Sequence, residues 1–451
     1  MKTQKTKTIF VVLTILAILS VFIAGMIIAL PILKKTNVEF AKEQIDKIKQ
    51  RFASTTASNE TTKNYEIKSQ DSWDVSKKKD GSVTAKWTES NKTITISGKG
   101  EINDSSITRQ YKSLVEKVVI ESGVTSIGRG ALANCNNLNS IKMADSITSI
   151  GESAFSGTSI TSISIPSGVK KVEKASFNGC NKLQTIEIHA SVTDIATDFL
   201  KSASSLTTIN VNASNANFSS ENGVLFNKNK TELIKFPNNK KDVTQYKVPT
   251  TVEWIREGAF YGCSNLTSIE MTNSVNAIGE QAFYGCSNLT QLAIPSNVAR
   301  IEDLAFGRCT KLQTISIQNI VRYINRTAFD DCNGLVNINV SSGNPDFTSE
   351  NGVLFNKSKT ELIKFPSSKK DTTYKIPSTV TSIVQYAFKN CVNLTSMDIP
   401  ANVTNIEEKS FVGCIGIKSI TIPSTVTRVA DGAIPPEIII YVKADSEGHR
   451  Y

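Results

Sequence analysis

Histidine is almost absent from this 451-residue sequence, which contains only His189 and His449. Because the second of them lies close to the C-terminus, the sequence cannot assemble a histidine-based triad or a multi-histidine metal site. A glycine-rich phosphate loop and a nucleophile elbow are also missing. The sequence therefore implies no cofactor and no small-molecule substrate. A hydrolase whose active site follows no recognisable pattern stays open as an alternative.

Basic residues outnumber acidic ones, but the excess is unevenly distributed. The net charge is +10, and residues 1–51 hold nine Lys or Arg against three Asp or Glu. The other 400 residues carry only +4, with no cluster of basic and aromatic side chains that could follow a phosphate backbone. This charge pattern argues against nucleic-acid binding.

Long apolar runs are missing except at the N-terminus, where residues 9–33 are uncharged and have lysines on both sides. A span of about 20 apolar residues is enough to cross a bilayer, whereas the apolar region of a cleavable signal peptide spans about 7 to 15. We therefore predict an uncleaved signal anchor that leaves residues 1–8 in the cytoplasm and residues 36–451 outside the cell. Secretion after cleavage is the alternative. The sequence ends without a hydrophobic tail, so attachment is expected through the N-terminal segment.

Two segments separate this anchor from the rest of the chain. Residues 34–64 are polar with one short amphipathic run, which predicts a helical stub and a spacer. Residues 65–112 alternate β-branched and polar side chains and include Trp73 and Trp87. This second segment predicts a small β-rich N-terminal cap.

Most of the chain is an internal repeat. Aligned on one apolar position, eleven units recur with a spacing near 23 residues, and two spacings are longer, at 60 and 59. Such a period predicts a solenoid, because a single unit cannot bury its own apolar face. Each unit ends in L-x-x-I-x-I, which predicts a short strand, and stacked units would align these strands in one parallel sheet. The aligned positions are Val124, Ile147, Val169, Val192, Val252, Val275, Val298, Val321, Val380, Val403 and Val426.

The two long spacings contain a second, nearly identical repeat. FSSENGVLFNKNKTELIKFP begins at Phe218, and FTSENGVLFNKSKTELIKFP begins at Phe347. Each copy has two apolar runs separated by a polar turn, which predicts β-hairpin insertions near residues 218–249 and 347–377. The solenoid is predicted to cover residues 113–436, and residues 437–451 form a C-terminal tail.

The units have the form L-x-x-I-x-I-P-x-x-V-x-x-I-x-x-x-A-F-x-x-C, best seen from Leu289 to Cys309 and from Leu394 to Cys414. This pattern resembles the BspA-type (Treponema pallidum-type) leucine-rich repeats of bacterial and some protist surface proteins. The resemblance implies a curved leucine-rich-repeat solenoid. It also implies an exposed protein that adheres to host or matrix proteins or to other cells.

The eight cysteines all occupy one position of the repeat, eleven residues after the aligned apolar residue. Metal ligands need close spacings that converge on one point, whereas these cysteines stack one per coil. The pattern favours buried packing, and disulfides between adjacent coils and metal binding are the alternatives. The cysteines are Cys135, Cys180, Cys263, Cys286, Cys309, Cys332, Cys391 and Cys414.

Two sets of exposed residues are candidates for contact with a partner. On the L-x-x-I-x-I strands, side chains between the inward aliphatic residues face outward and form a field of small polar groups. The second set is Tyr261 and Tyr284, which follow the inward phenylalanine in adjacent units, and aromatic residues are enriched at protein interfaces. The strand candidates are Thr267, Ser268, Glu270, Thr290, Gln291, Gln313, Thr314 and Ser316.

These observations together predict a membrane-anchored bacterial surface protein that binds or adheres to another protein and is not an enzyme. The expected partner is an extracellular protein, either of the host matrix or of another cell's surface. A structural spacer without a specific ligand is the alternative.

Overall fold

The computed structural model describes residues 72–107 and 109–442. The predicted cytoplasmic segment, anchor and spacer lie outside these residues, as does the tail beyond residue 442. Within the described part of the chain, no helix has the length and apolar character needed to cross a membrane.

The described residues form a solenoid of stacked coils, and each coil contributes two short strands. The first, here called the A strand, lies at the V-x-x-I pattern, and the second, the B strand, lies at the I-x-I pattern. Equivalent strands of successive coils pair in parallel, as at Ser382 opposite Asn405 and Gln291 opposite Thr314. The sequence predicted one parallel sheet, whereas the structure has two columns of parallel strands.

The A strands are two to four residues long. They span Val124–Ile127, Ser149–Ile150, Lys171–Val172, Asp194–Ile195, Glu232–Lys235, Trp254–Ile255, Ala277–Ile278, Arg300–Ile301, Tyr323–Ile324, Glu361–Lys364, Ser382–Ile383, Asn405–Ile406 and Arg428–Val429.

The B strands are three or four residues long. They span Lys117–Ile120, Ser140–Met143, Ser162–Ser164, Thr185–Ile188, Thr208–Val211, Gln245–Lys247, Ser268–Glu270, Gln291–Ala293, Thr314–Ile317, Asn337–Val340, Thr373–Lys375, Ser396–Asp398, Ser419–Ile422 and Ile439–Val442.

The remaining elements lie before the first coil and inside the two insertions. The strands are Ser72–Asp74, Val83–Thr88, Thr93–Gly98, Gly100–Glu101, Phe218–Glu221, Val224–Asn227, Phe347–Glu350 and Val353–Asn356. Helix is limited, among the described residues, to the α-helical turn Arg109–Lys112 and the 3-10 turn Glu89–Asn91.

A column of phenylalanine rings fills the centre of the solenoid. Phe260, Phe283 and Phe306 are fully buried, and consecutive rings stack with centroids 5.2 and 5.4 Å apart. Full burial of one such side chain stabilises the fold by about 1.5–3 kcal/mol, and stacking adds to this. Because each ring packs on the ring of the next coil, neighbouring coils stabilise one another.

The insertions are more than hairpins, because each contains the A strand of an additional coil. Val224–Asn227 and Glu232–Lys235 pair antiparallel, as a hairpin would. Glu232–Lys235 also pairs in parallel with the A strand of the next coil, and Phe236 stacks on Phe260 with centroids 5.4 Å apart. The second insertion repeats this arrangement with Phe365 and Phe388, at 5.5 Å.

Before the first coil, three antiparallel strands extend the B-strand column. Ser72–Asp74 pairs with Val83–Thr88, which pairs with Thr93–Gly98. Thr93–Gly98 then pairs in parallel with the first B strand, Lys117–Ile120. The ring of Trp73 stacks on Tyr111 with centroids 4.8 Å apart. The backbone edge of the first B strand is therefore covered by this small sheet.

A lysine points into the solenoid at each insertion. Lys235 is 2% exposed, and its Nζ donates a hydrogen bond to the Gly258 carbonyl oxygen at 3.2 Å. Burial lowers the pKa of Lys235 to about 8. Lys364 is likewise buried, donates to the Tyr386 carbonyl oxygen at 3.0 Å, and has a pKa lowered by burial. A buried ammonium with one carbonyl partner opposes folding while it is charged.

We therefore expect Lys235→Met to raise the free energy of unfolding, by up to about 3 kcal/mol, below pH 8. The lysine pKa lies near 8 in the folded chain and near 10.5 in the unfolded chain, so the unfolded chain binds more protons between these values. The native protein thus recovers stability as pH rises from 8 to 10.5, and the advantage of the variant shrinks. Urea unfolding at several pH values measures this difference. At the exposed control site, Lys241→Met should have the same free energy of unfolding as the native protein at each pH. If the stability increase from Lys235→Met does not vary with pH, the charge of Lys235 is not its cause.

Candidate functional site

The predicted strand residues lie together on the outer side of the B strands. The alternation of the strands turns Ile269, Leu292 and Ile315 inward, where they are at most 6% exposed. The residues between them face solvent: Thr267, Glu270, Thr290, Gln291 and Gln313 are exposed, and Ser268, Thr314 and Ser316 are half-buried. We call these eight residues the B-strand face.

Parallel register aligns the polar side chains of this face in rows. Gln291 lies opposite Thr314, and Ala293 lies opposite Ser316. Glu270 is the charged member, and its carboxylate pairs with Lys247 Nζ at 3.0 Å across the preceding B strand. Both side chains of this pair are about two-thirds exposed, so solvent screens it and it contributes little to stability.

Some hydroxyl groups of the B-strand face form hydrogen bonds within the solenoid and are not available to bind a partner. Thr267 Oγ1 donates to the carbonyl oxygen of Thr244, one coil earlier, at 3.0 Å. The same bond recurs at other exposed threonines one coil apart, for example from Thr395 Oγ1 to the Thr372 carbonyl oxygen at 3.0 Å. The Thr267 hydroxyl therefore links two coils, and the side chains that remain for contact are chiefly the amides and Glu270.

The two tyrosines form part of a stacked ladder. The rings of Tyr261 and Tyr284 are 4.9 Å apart and inclined by 15°. Lys201 Nζ lies 5.6 Å from the Tyr261 ring centroid, and Arg308 Cζ lies 5.7 Å from the Tyr284 ring centroid. Both distances are within the range of cation–π attraction. We call these four residues the tyrosine ladder.

The ladder depends on a close approach at Gly307. A Cβ at this position would lie 2.8 Å from Tyr284 Cδ2, so the ring can occupy this place only because the residue is glycine. Burial raises the pKa of Tyr284, and the nearby Arg308 opposes that shift. The Tyr284 hydroxyl, like that of any tyrosine at physiological pH, is neutral and can serve as a hydrogen-bond donor.

Sequence reasoning found the tyrosines but not their cationic partners. Lys201 lies at the same repeat position as Tyr261 and Tyr284, one residue after the large apolar residue, and Arg308 lies one position later. The additional coil of the first insertion lies between the coils of Lys201 and Tyr261, so an alignment of that outward column does not place them side by side. The ladder follows the A-F-x-x-C turn and not the B strands, so the two candidate sets lie on different parts of each coil.

The cysteines form a buried column of free thiols. Most donate to the carbonyl oxygen of the phenylalanine one coil earlier, as Cys286 does to Phe260 at 3.2 Å and Cys309 to Phe283 at 3.1 Å. A left-handed residue precedes the cysteine in most coils, for example Gly285 with φ +73°. This turn directs the thiol inward, and the thiol links adjacent coils.

Burial also makes these thiols, apart from Cys414, poor nucleophiles. It raises the pKa of Cys135, Cys263 and Cys332 to about 12 and that of Cys180 to about 11. A thiol with such a pKa is protonated at neutral pH, whereas catalysis and metal binding require the thiolate. Over residues 72–107 and 109–442, no three His, Cys, Asp or Glu side chains converge to hold a metal ion.

This geometry, with parallel coils of about 23 residues and apolar columns inside, defines a leucine-rich-repeat solenoid. Residues 107–232, 234–361 and 363–435 match the BspA type leucine rich repeat region in six copies. The chain therefore belongs to the BspA-type leucine-rich-repeat family, as the sequence pattern predicted.

Among solved structures similar to this chain, one with a TM-score above 0.5 shares its fold. The chain is 24% identical to a leucine-rich repeat protein from Eubacterium ventriosum, with a TM-score of 0.57 over 82% of this chain and 95% of that one. A leucine-rich cell surface protein from Faecalibacterium prausnitzii is 23% identical, with a TM-score of 0.42 over 70% and 93%. The pneumococcal vaccine antigen PcpA is 16% identical, with a TM-score of 0.46 over 80% and 97%. No curated protein sequence matches the chain.

The thiol column predicts a simple labelling result. With a thiol-reactive dye such as DTNB at pH 8, we expect no rapid reaction from the folded protein and eight thiols per chain after unfolding in guanidinium. The reason is that burial shields all eight thiols in the fold, and a raised pKa also suppresses the thiolate at every cysteine except Cys414, whose pKa is lowered by a hydrogen bond from Cys391. If fewer than eight thiols react in the unfolded, unreduced protein, some of the cysteines are in disulfides and the packing interpretation is wrong.

Proposed function

We propose that this chain is a bacterial surface protein that binds another extracellular protein through its solenoid and catalyses no reaction. Residues 9–33 hold it in the membrane, and residues 36–451 lie outside the cell. The partner is a protein of the host matrix or of another cell's surface.

The observation that carries this proposal is the B-strand face. Its exposed amide and carboxylate side chains are aligned in rows by the parallel register of the backbone, which gives a broad and regular polar surface. Leucine-rich repeats and other solenoids use extended surfaces of this kind to bind proteins. A broad polar surface suits a protein partner better than a small molecule, which needs a concave and mostly apolar pocket.

The tyrosine ladder supports the same function at a second place. Tyrosine and arginine are enriched at the energetically dominant positions of protein interfaces. Tyr261 and Tyr284 are half-buried and stacked on each other, so their rings are already ordered before any partner arrives. Both cations of the ladder already have carboxylate partners, at 3.7 and 3.6 Å, so the aromatic rings are its main contact surface.

A structural spacer is the second candidate function. The bond from Thr267 to Thr244 and its equivalents in other coils favour it, because they use polar groups of the exposed side to hold the coils together. A solenoid of this construction can set a distance from the membrane without binding anything.

The B-strand face makes a direct binding prediction. We expect the purified protein to bind at least one immobilised matrix protein from a panel of fibronectin, laminin and collagen. The triple variant Glu270→Ala, Gln291→Ala and Gln313→Ala should bind about tenfold more weakly, because it removes the longest side chains of the face while leaving its strands intact. Surface plasmon resonance measures both affinities.

A matched control changes three exposed residues beside the A strands, Glu253→Ala, Asn276→Ala and Arg322→Ala. This control should bind like the native protein. Equal binding by the face variant and the native protein would rule out the B-strand face, and no binding to any protein of the panel would favour the spacer.

The anchor is tested separately by cell fractionation. We expect the intact protein in the membrane fraction and accessible to protease added to whole cells, because residues 9–33 are long enough to cross the bilayer. Replacing Ile15 and Ile18 with arginine should release the chain from the membrane or stop its export. Recovery of the native protein from the culture medium would instead support secretion after cleavage.

A further inference from the structure

The two insertions, which are nearly identical in sequence, differ in the charge that faces them. At the first, the Glu232 carboxylate pairs with Arg256 on the neighbouring A strand, with Oε2 and Nη1 3.1 Å apart. The Arg256 guanidinium also lies over the ring of Trp254, 4.0 Å from the centroid. Both charged side chains are roughly two-thirds buried or more, so this guanidinium is held by charge, by an aromatic face and by partial burial.

At the second insertion the carboxylate is kept but its cation is lost. Glu361 is the equivalent of Glu232, and each lies opposite the first residue of the next A strand. That residue is Trp254 in the first copy and Ser382 in the second, and Arg256 is replaced by the buried Val384. Within the described part of the chain, the Glu361 carboxylate has no ion-pair partner.

An open cleft lies beside the Glu361 carboxylate. It has a volume of about 400 Å³ and is lined by Glu361, Tyr323, Arg326, Phe347, Ile363 and Gln385, among others. A cavity of this size is within the range of ligand-binding clefts and holds one long side chain with its flanking backbone.

The apolar floor of the cleft is also uncovered only in the second copy. Phe218 and Ile234, in the first copy, are 9% and 5% exposed. Their equivalents Phe347 and Ile363 are only half-buried, and both line the cleft. The second copy therefore presents more apolar surface beside its unpaired carboxylate than the first copy does.

The cations around the cleft do not satisfy Glu361, because each already has a carboxylate partner. One of these cations, Arg300, also stacks over the Tyr323 ring, with its Cζ 4.0 Å from the ring centroid. The pairs are Arg326 with Glu407 at 3.1 Å, Arg322 with Asp346 at 3.1 Å, and Arg300 with Glu302 at 2.6 Å. The cleft therefore keeps one unbalanced negative charge.

We propose that the Glu361 cleft binds an arginine side chain of a partner peptide or protein, as the first copy binds its own Arg256. The guanidinium pairs with the Glu361 carboxylate, a charge-assisted contact that an arginine can make with two hydrogen bonds. The methylene stem of the arginine covers Phe347 and Ile363, as long basic side chains do on apolar surfaces.

This cleft is separate from the face in the proposed function. It lies beside the A strands, whereas that face lies on the B strands. The proposed binding function does not specify the chemistry of the partner. This cleft would specify it as a peptide or protein with an exposed arginine. The cleft would still bind arginine if the B-strand face bound nothing.

The test uses the full-length protein and a blocked five-residue peptide of four glycines around one arginine. The control peptide carries citrulline, which has nearly the same shape but no charge. We expect isothermal titration to show one arginine peptide per chain, and the citrulline peptide should bind at least about tenfold more weakly. Equal binding of the two peptides, or no binding of the arginine peptide at millimolar concentration, overturns the proposal.

Glu361→Gln is the decisive variant, since it removes the charge and keeps the shape of a half-exposed side chain. We expect it to weaken binding of the arginine peptide about tenfold, while Glu232→Gln leaves that binding unchanged. An affinity in Glu361→Gln equal to that of the native protein overturns the proposal. Thermal unfolding of both variants verifies that each is folded.

The variant Arg256→Ala tests whether the first and second insertions bind an arginine side chain in the same way. Removal of the internal guanidinium exposes Glu232 beside Trp254, so the arginine peptide should then bind with two per chain. If the folded variant still binds only one peptide per chain, the contact between Glu232 and Arg256 in the first copy is not a valid model for the Glu361 cleft.

Discussion

The fold depends on parallel pairing between residues that are one coil, about 23 positions, apart. A single coil has strands of only two to four residues, and these cannot satisfy their own backbone groups or bury their own apolar side. Stacking meets both needs at once, since each strand gains a neighbour and the central phenylalanine rings of successive coils stack at 5.1–5.8 Å. The cysteine thiols and the exposed threonine hydroxyls add further bonds between the same pairs of coils. Inward and outward residues are therefore both constrained by one repeat distance.

That constraint explains how much of the fold the sequence could predict. The inward phenylalanine and cysteine columns recur at fixed offsets, so their burial follows directly from the period. The two additional coils were missed because their spacing is shorter: Phe236 follows Leu233 by three residues, whereas Phe260 follows Ile255 by five. The ring reaches the same column through a tighter turn. An alignment based on constant spacing interprets such a coil as an inserted hairpin.

The candidate site was less predictable than the core. Alternation along a strand is enough to show that Gln291 and Glu270 face solvent. It does not show where a hydroxyl points, because the acceptor of Thr267 is a carbonyl oxygen on another coil. The tyrosine ladder has the same character: Tyr261 and Lys201 are 60 residues apart in sequence and meet only because an insertion lies between their coils. Contacts of outward side chains thus depend on the path of the insertion, which the period does not encode.

Duplication inside a solenoid separates the residues that maintain the fold from those that are free to acquire a function. Phe236 and Phe365 and the apolar residues of the V-L-F and E-L-I-K strands beside them are the same in both copies, because a closely packed interior tolerates little change. The neighbouring A strands differ, because a tryptophan and a partly exposed arginine in one copy are a serine and a buried valine in the other. With the backbone held constant, such a difference changes only the surface, here from a filled contact to an open acidic cleft. In a repeat protein the positions to search for binding are therefore those where equivalent coils differ outward while their inward residues agree.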